Sequence, residues 1–368
     1  MRILTFALVF ALVCLSKALP LESDINFHPY FKEAISSFNV KILKKLIETE
    51  KGNNIFYSPF SLHLALTQLL MAAPEGSDTA KELSALLGVD ASRRLDLKDD
   101  YAKIINDLER ITKSQNVVVN LANRFYIANS FTVKQTYSDV MQQIFKTSTE
   151  QVDFSNGKEA LLKINNFAKN ATNGLIESVF EKELSSSTVF VLLNTIFFKG
   201  SWQYKFDPAD TKTMSFNVDS NTQVPFQAMT AERPDTIRYS QELKSLIMEF
   251  PYKNEDLAML VVLPTRDADL QMVENNLEHL NLTEFIGLRF DSKRHGNTDV
   301  VLPKFEAKFA IKDLPALLQQ LGVKSAFDEV SLVSFTNFIN TCKFYQYCNI
   351  FISLNKKWEY IEFHYNFI

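Results

Sequence analysis

The stretch from Val189 to Phe198 is apolar or β-branched at every position but one. A half-exposed strand alternates polar and apolar residues, whereas an unbroken run of this kind belongs to a central strand covered on both faces. A chain that contains it must supply two layers to cover that sheet. The exception is Asn194, whose amide falls inside the covered sheet. Unpaired there, it costs on the order of 1–3 kcal/mol, so it needs partners from neighbouring elements. The 368 residues suffice for such a core, as one large domain or two smaller ones.

Elements around the strand follow from periodicity and capping. Over residues 26–49, Phe31, Ala34, Ile35, Phe38, Ile42, Leu43 and Leu46 recur at three- and four-residue spacing, with Lys41, Lys44 and Lys45 opposite. That predicts an amphipathic helix, its lysines either a solvated face or a polyanion site. Ser58 is a good N-cap and Pro59 a good first residue for a mostly buried helix running to Met71. Further helices are expected over 77–87, 99–111, 132–145, 158–170, 267–280 and 312–321. Val117, Val119, Leu121 and Phe125 alternate with polar residues in a half-buried strand over 116–126. Residues 246–250 and 257–263 make a hairpin across the polar loop 251–256, and 300–309 reads as one more strand. Helices dominate the first third and strands the later parts without regular alternation, so the fold class is α+β. Ser58 and Ser61 sit on the first turn of the buried helix, serving either as caps or as part of a polar seam with Asn194 beneath the sheet.

Several chemistries are excluded. A formal charge of −4 rules out an electrostatic nucleic-acid binder. The nine glycines lie too far apart to form a dinucleotide fingerprint, a phosphate-binding P-loop or a Gly-x-Ser-x-Gly elbow. The five histidines, at 28, 63, 279, 295 and 364, fall in no metal-ligand spacing. No enzyme, no metal and no cofactor is therefore expected.

Arg2, the apolar run Ile3 to Leu15 and Ser16-Lys17-Ala18 form a secretory signal cut after Ala18. The run falls short of the ~20 residues that span a bilayer, so no membrane association is expected and the chain is read as secreted and extracellular. Asn170-Ala171-Thr172 and Asn281-Leu282-Thr283 are glycosylation acceptors on that route. Cys14 leaves with the signal, and the next cysteines are Cys342 and Cys348, which either pair across a short loop or remain free thiols. The chain thus divides into the signal 1–18, a domain over 19–330 and a tail over 331–368.

Ordered motifs then carry a resemblance. They are Asn54-Ile55-Phe56-Tyr57-Ser58-Pro59-Phe60-Ser61, Thr79 to Leu83, Val152-Asp153-Phe154 and Thr172 to Ile176. Asn194 to Trp202, Phe250-Pro251-Tyr252, Leu260 to Pro264, Leu302-Pro303-Lys304-Phe305 and Leu321-Gly322-Val323 follow in the same order. From about residue 25 to 329 the chain resembles the serpins. The resemblance implies about nine helices around three sheets, a monomer, and serine proteases as partners. Members of that family present an exposed bait loop. Once cleaved, the loop inserts as a new strand into an under-filled sheet and traps the acyl-enzyme. By motif position, Ser58, Ser61 and Asn194 belong to the region where the sheet parts, and Trp202 to the point where insertion starts.

Past Glu329 the family pattern stops. Family members continue with a strand supplying a histidine partner for the buried asparagine, a hinge rich in Glu and Ala, the bait loop, and strands completing the smaller sheets. Residues 331–368 contain no Gly, Ala, Pro, Asp or Arg, and eleven of these 38 are aromatic. A hinge that slides into a close-packed sheet needs small side chains, and this tail has none in a row. His364 does not replace the family histidine, because Glu362-Phe363-His364-Tyr365 does not resemble that strand. The tail is either an untemplated ending or a specialised extension. Hinge, reactive bond and C-terminal strands are expected to be missing, with no covalent trapping of any protease. Two rivals stand beside this reading, a non-inhibitory secreted carrier and a non-functional truncated product with exposed sheet edges.

Overall fold

The structure, a computed structural model, describes residues 27–111, 117–174, 176–217, 221–234, 237–253, 257–276, 297–311, 313–327, 348–354 and 360–367. Helix α1 (Phe31–Thr49) buries the stripe read from its spacing, including Phe31, Ala34, Phe38, Ile42 and Leu46. Helix α2 (Pro59–Ala72) starts where Ser58 Oγ accepts from the Ser61 amide at 3.2 Å, with Pro59 in its first turn, and it is buried almost all round. Helix α3 (Asp78–Leu87) is capped by Ser77 and ends at Gly88 in the left-handed region, φ 74°. A Cβ at Gly88 would also stand 3.0 Å from Ala34 Cα, so glycine is required twice over, for the turn and for the approach to α1. Helices α4 (Arg94–Ile111), α5 (Gln135–Gln143), α6 (Gly157–Ala171), α7 (Leu270–Asn276) and α8 (Leu314–Gln320) complete eight α-helices among the described residues.

Among the described residues, twelve strands form three sheets. They are β1 (Val117–Ala128), β2 (Thr147–Val152), β3 (Phe190–Ser201), β4 (Lys212–Asn217), β5 (Gln223–Pro234), β6 (Ile237–Ser240), β7 (Ser245–Pro251), β8 (Ala258–Pro264), β9 (Asn297–Pro303), β10 (Glu306–Ile311), β11 (Cys348–Leu354) and β12 (Tyr360–Phe367). The large sheet runs β10-β11-β12-β3-β1-β2, and the smaller ones run β4-β5-β9 and β6-β7-β8. Within the large sheet every pair is antiparallel except β1 with β2. The expected hairpin is present as β7 and β8.

Both faces of β3 are covered, as its unbroken apolar run demands. Phe190 and Leu192 join the core made by α1 to α4, while Val191 and Leu193 join a second core under α6 with Ile164 and Ala168. A third core gathers Phe198, Trp202, Phe206, Phe250 and Tyr252 where β3 meets the two smaller sheets.

Two sequence readings change. Residues 300–309 are not one strand: β9 pairs with β5, and after Lys304 and Phe305 the chain enters the large sheet as β10. The apolar run Val300 to Leu302 gives way at Pro303-Lys304 to an alternation of Phe305, Ala307 and Phe309 with charged residues, and the proline marks the break that a single-strand reading passes over. Residues 348–354 and 360–367, part of the tail read as an untemplated ending or a specialised extension, form an antiparallel pair inside the large sheet. Their aromatic and β-branched content has strand propensity, but only pairing on both sides gives it a place. The smaller sheets receive no strand from any described residue beyond Pro303.

Candidate functional site

The register places one row of residues across all six strands of the large sheet. Thr147 lies opposite Asn123, Asn123 opposite Asn194, Asn194 opposite Phe367, Phe367 opposite Cys348, and Cys348 opposite Ile311. On β2, β1 and β3 the row is polar and buried. Helix α2 closes it with Gln68, whose Nε2 donates to Asn194 Oδ1 at 3.3 Å and whose Oε1 accepts from Thr147 Oγ1 at 3.0 Å. Asn123 Nδ2 donates to the Phe145 carbonyl at 3.2 Å. Asn194 Nδ2 and Asn123 Oδ1, on facing strands, have no partner among the described residues. The seam is thus half satisfied, and each orphan polar atom costs on the order of 1–3 kcal/mol of sheet stability.

Ser58 Oγ donates to Ser61 Oγ at 3.2 Å, and no described hydrogen bond joins either serine to Asn194. Ser58 acts as the cap of α2, Ser61 is buried, and the amide that reaches Asn194 is Gln68, further along the same helix. Gln68 was legible in principle as the only carboxamide of an otherwise buried helix. Asn123 and Thr147 gave no such signal, because polar residues are ordinary in half-exposed strands.

Trp202 follows β3 directly and is buried, stacked on Tyr252 with centroids 4.8 Å apart and planes 7° from parallel. A backbone bridge joins the same two residues. Gly200 lies beneath this stack: a Cβ there would stand 2.6 Å from the Tyr252 ring and 2.8 Å from Phe198. Gly200→Ala is expected to destabilise the fold by about 2 kcal/mol through overpacking, read as a lower urea midpoint at unchanged slope.

Asn170 is exposed at the end of α6, and its sequon partner Thr172 is buried with its hydroxyl donating to the Ala168 carbonyl at 2.8 Å. Cys348 is the first residue of β11. Ala18, Asn281 and Cys342 lie outside the described residues. Among the described residues no cluster of His, Cys, Asp and Glu could hold a metal ion, and no helix is long and apolar enough to cross a membrane. Carboxamides and hydroxyls neither donate nor accept protons usefully at neutral pH, so the seam is suited to adjusting strand packing rather than to bond chemistry.

Comparison with known proteins agrees with this architecture. Residues 33–347 match the family model described as Serpin (serine protease inhibitor), and the chain belongs to the serpin family. A Drosophila melanogaster protein, Serine protease inhibitor 42Dd, is 30% identical over 295 residues, covering 80% of this chain and 76% of that one. Human Serpin B3 is 29% identical over 314 residues, covering 80% and 79%. Among solved structures, cleaved Serpin 42Da aligns at 25% identity with a TM-score of 0.77, covering 92% of this chain and 89% of its own. Reactive-loop-cleaved human thyroxine-binding globulin aligns at 21% identity with a TM-score of 0.79, covering 92% and 98%. The family is one of protease inhibitors rather than catalysts, and its solved fold neighbours also include an ovalbumin.

Proposed function

We propose that this chain is a secreted, extracellular serpin that meets serine proteases without trapping them, because its large sheet is filled by its own strands β11 and β12. The observation that carries the reading is β12 hydrogen-bonded along β3, from Tyr360 opposite Ser201 to Phe367 opposite Asn194. A trap driven by strand addition draws its energy from a gap beside that strand, and a filled ladder has no pairing left to gain. The composition of residues 331–368 supports the same reading, since with no Gly or Ala they hold no small-residue hinge of the kind the family inserts after cleavage. Serpins solved in the cleaved state are among the fold neighbours, in keeping with a filled sheet. In this reading Ser58, Ser61 and Asn194 belong to the region where the sheet parts and Trp202 to the start of insertion. The leader through Ala18 and the sequons at Asn170 and Asn281 support secretion.

The test uses protein recovered from the medium of secreting cells, with its N-terminus sequenced. Incubated with trypsin-like, chymotrypsin-like and elastase-like enzymes, it is expected to begin at Leu19 and to yield no SDS-stable complex. A covalent complex with any of these proteases overturns the reading of function, and retention inside the cells overturns that of address.

A further inference from the structure

Arg233, next to last in β5, points inward, with 3% of the residue exposed. Its guanidinium carbon lies 3.9 Å from the ring centroid of Phe206 and 5.4 Å from that of Phe250. Phe250 in turn contacts Trp202, at 5.8 Å between centroids. A planar, weakly hydrated cation is well suited to such aromatic faces, yet they satisfy none of its N–H donors. Nε and Nη2 are buried with no hydrogen-bond partner among the described residues. Strand alternation turns the neighbouring Glu232 outward, where Asn297 Nδ2 donates to it at 3.1 Å. Burial lowers the Arg233 pKa to about 10, with Tyr204 acting in the opposite direction, so at neutral pH the group remains a cation.

Buried charges in proteins are paired, because an uncompensated one is strongly unfavourable. The two orphan nitrogens are also the two that share one edge of the guanidinium. Nε–H and the adjacent Nη2–H point the same way and form the side-on fork that matches two oxygens of one anion. We propose that Arg233 anchors an oxyanion site, gripping a carboxylate, sulfate or phosphate group side-on through Nε and Nη2 between Phe206 and Phe250. The site stands apart from the large-sheet row and is independent of whether the chain traps proteases.

The test is thermal unfolding of the full chain at constant ionic strength, with sodium sulfate, sodium phosphate or sodium acetate replacing chloride in separate arms. At least one arm is expected to raise the midpoint over chloride by roughly 2–4 °C, growing with the logarithm of concentration above the Kd as for a ligand bound only by the folded chain, and the arm that does so identifies the oxyanion. Arg233→Met is expected to abolish that rise. Arg233→Lys keeps the charge but not the fork, and is expected to need about a tenfold or higher concentration for the same rise. No rise over chloride in any arm overturns the proposal, as does an equal rise in Arg233→Met. If Arg233→Met does not fold, an unchanged concentration dependence in Arg233→Lys overturns it instead.

Discussion

Replacing Tyr365 by proline is expected to lower the unfolding midpoint of the full chain by roughly 6–12 °C, for a loss on the order of 3 kcal/mol. Tyr365 lies in the interior of β12, opposite Ile196 of β3 on one side and Ile350 of β11 on the other. With neighbours on both sides its N–H belongs to a ladder, and proline removes that donor, leaves a carbonyl unpaired and places a ring where a strand passes. The same position is harmless to proline if residues 360–367 lie outside the sheet. A midpoint within about 1 °C of the parent would therefore remove β12 from the sheet and, with it, the basis of the proposed function. The variant is still expected to form no covalent protease complex. Emptying the position beside β3 does not supply the run of small side chains that an inserting segment requires.

How much could be read in advance differs from element to element, for physical reasons. Helices α1, α2 and α3 were legible because an apolar stripe, Ser58 with Pro59, and Ser77 with Gly88 each act locally. The β7–β8 hairpin was legible because two apolar runs flank a polar loop. Strand β2, the edge segment Thr147–Val152, was not, since an edge strand need bury little and this one is mostly polar. Strand β5 carries Pro225 and Pro234, which argue against a strand when read alone. In the seam, Asn194 announced itself by standing alone in an apolar run; Ser58 and Ser61 read either as caps or as seam residues, Ser58 is found as the cap, and the amide that reaches Asn194 is that of Gln68. Seven residues of α2, about 10 Å along its axis, separate Ser61 from Gln68. Arg233 gave no local sign at all, because its burial is a property of how β5 lies against Phe206 and Phe250.

The same buried helix sets how the fold responds to acid. His63 is fully buried on α2, with Nδ1 2.6 Å from the Tyr101 hydroxyl and Nε2 3.3 Å from the Leu87 carbonyl. The carbonyl only accepts, so Nε2 carries the proton and Nδ1 accepts from Tyr101. Burial lowers the imidazole pKa from 6.5 to about 4, the Leu87 carbonyl offsetting a part of that shift. Between those values the unfolded chain binds a proton that the folded chain excludes, so stability is whole above about pH 6.5 and falls as pH drops towards 4. By pH 5 the loss from this residue is about 2 kcal/mol, and it approaches about 3 kcal/mol near pH 4. Depressed carboxylates such as Asp96, held by the Tyr30 hydroxyl, act in the same direction at lower pH, where they begin to protonate. Urea unfolding of the parent and of His63→Gln between pH 7.5 and 5 separates the two. The variant is expected to be less stable at pH 7.5, because it gives up the native hydrogen bonds, but to lose about 2 kcal/mol less than the parent on going to pH 5. Parallel slopes for the two proteins would mean that His63 is protonated in the folded state, and that the core around α2 admits a charge this packing should refuse.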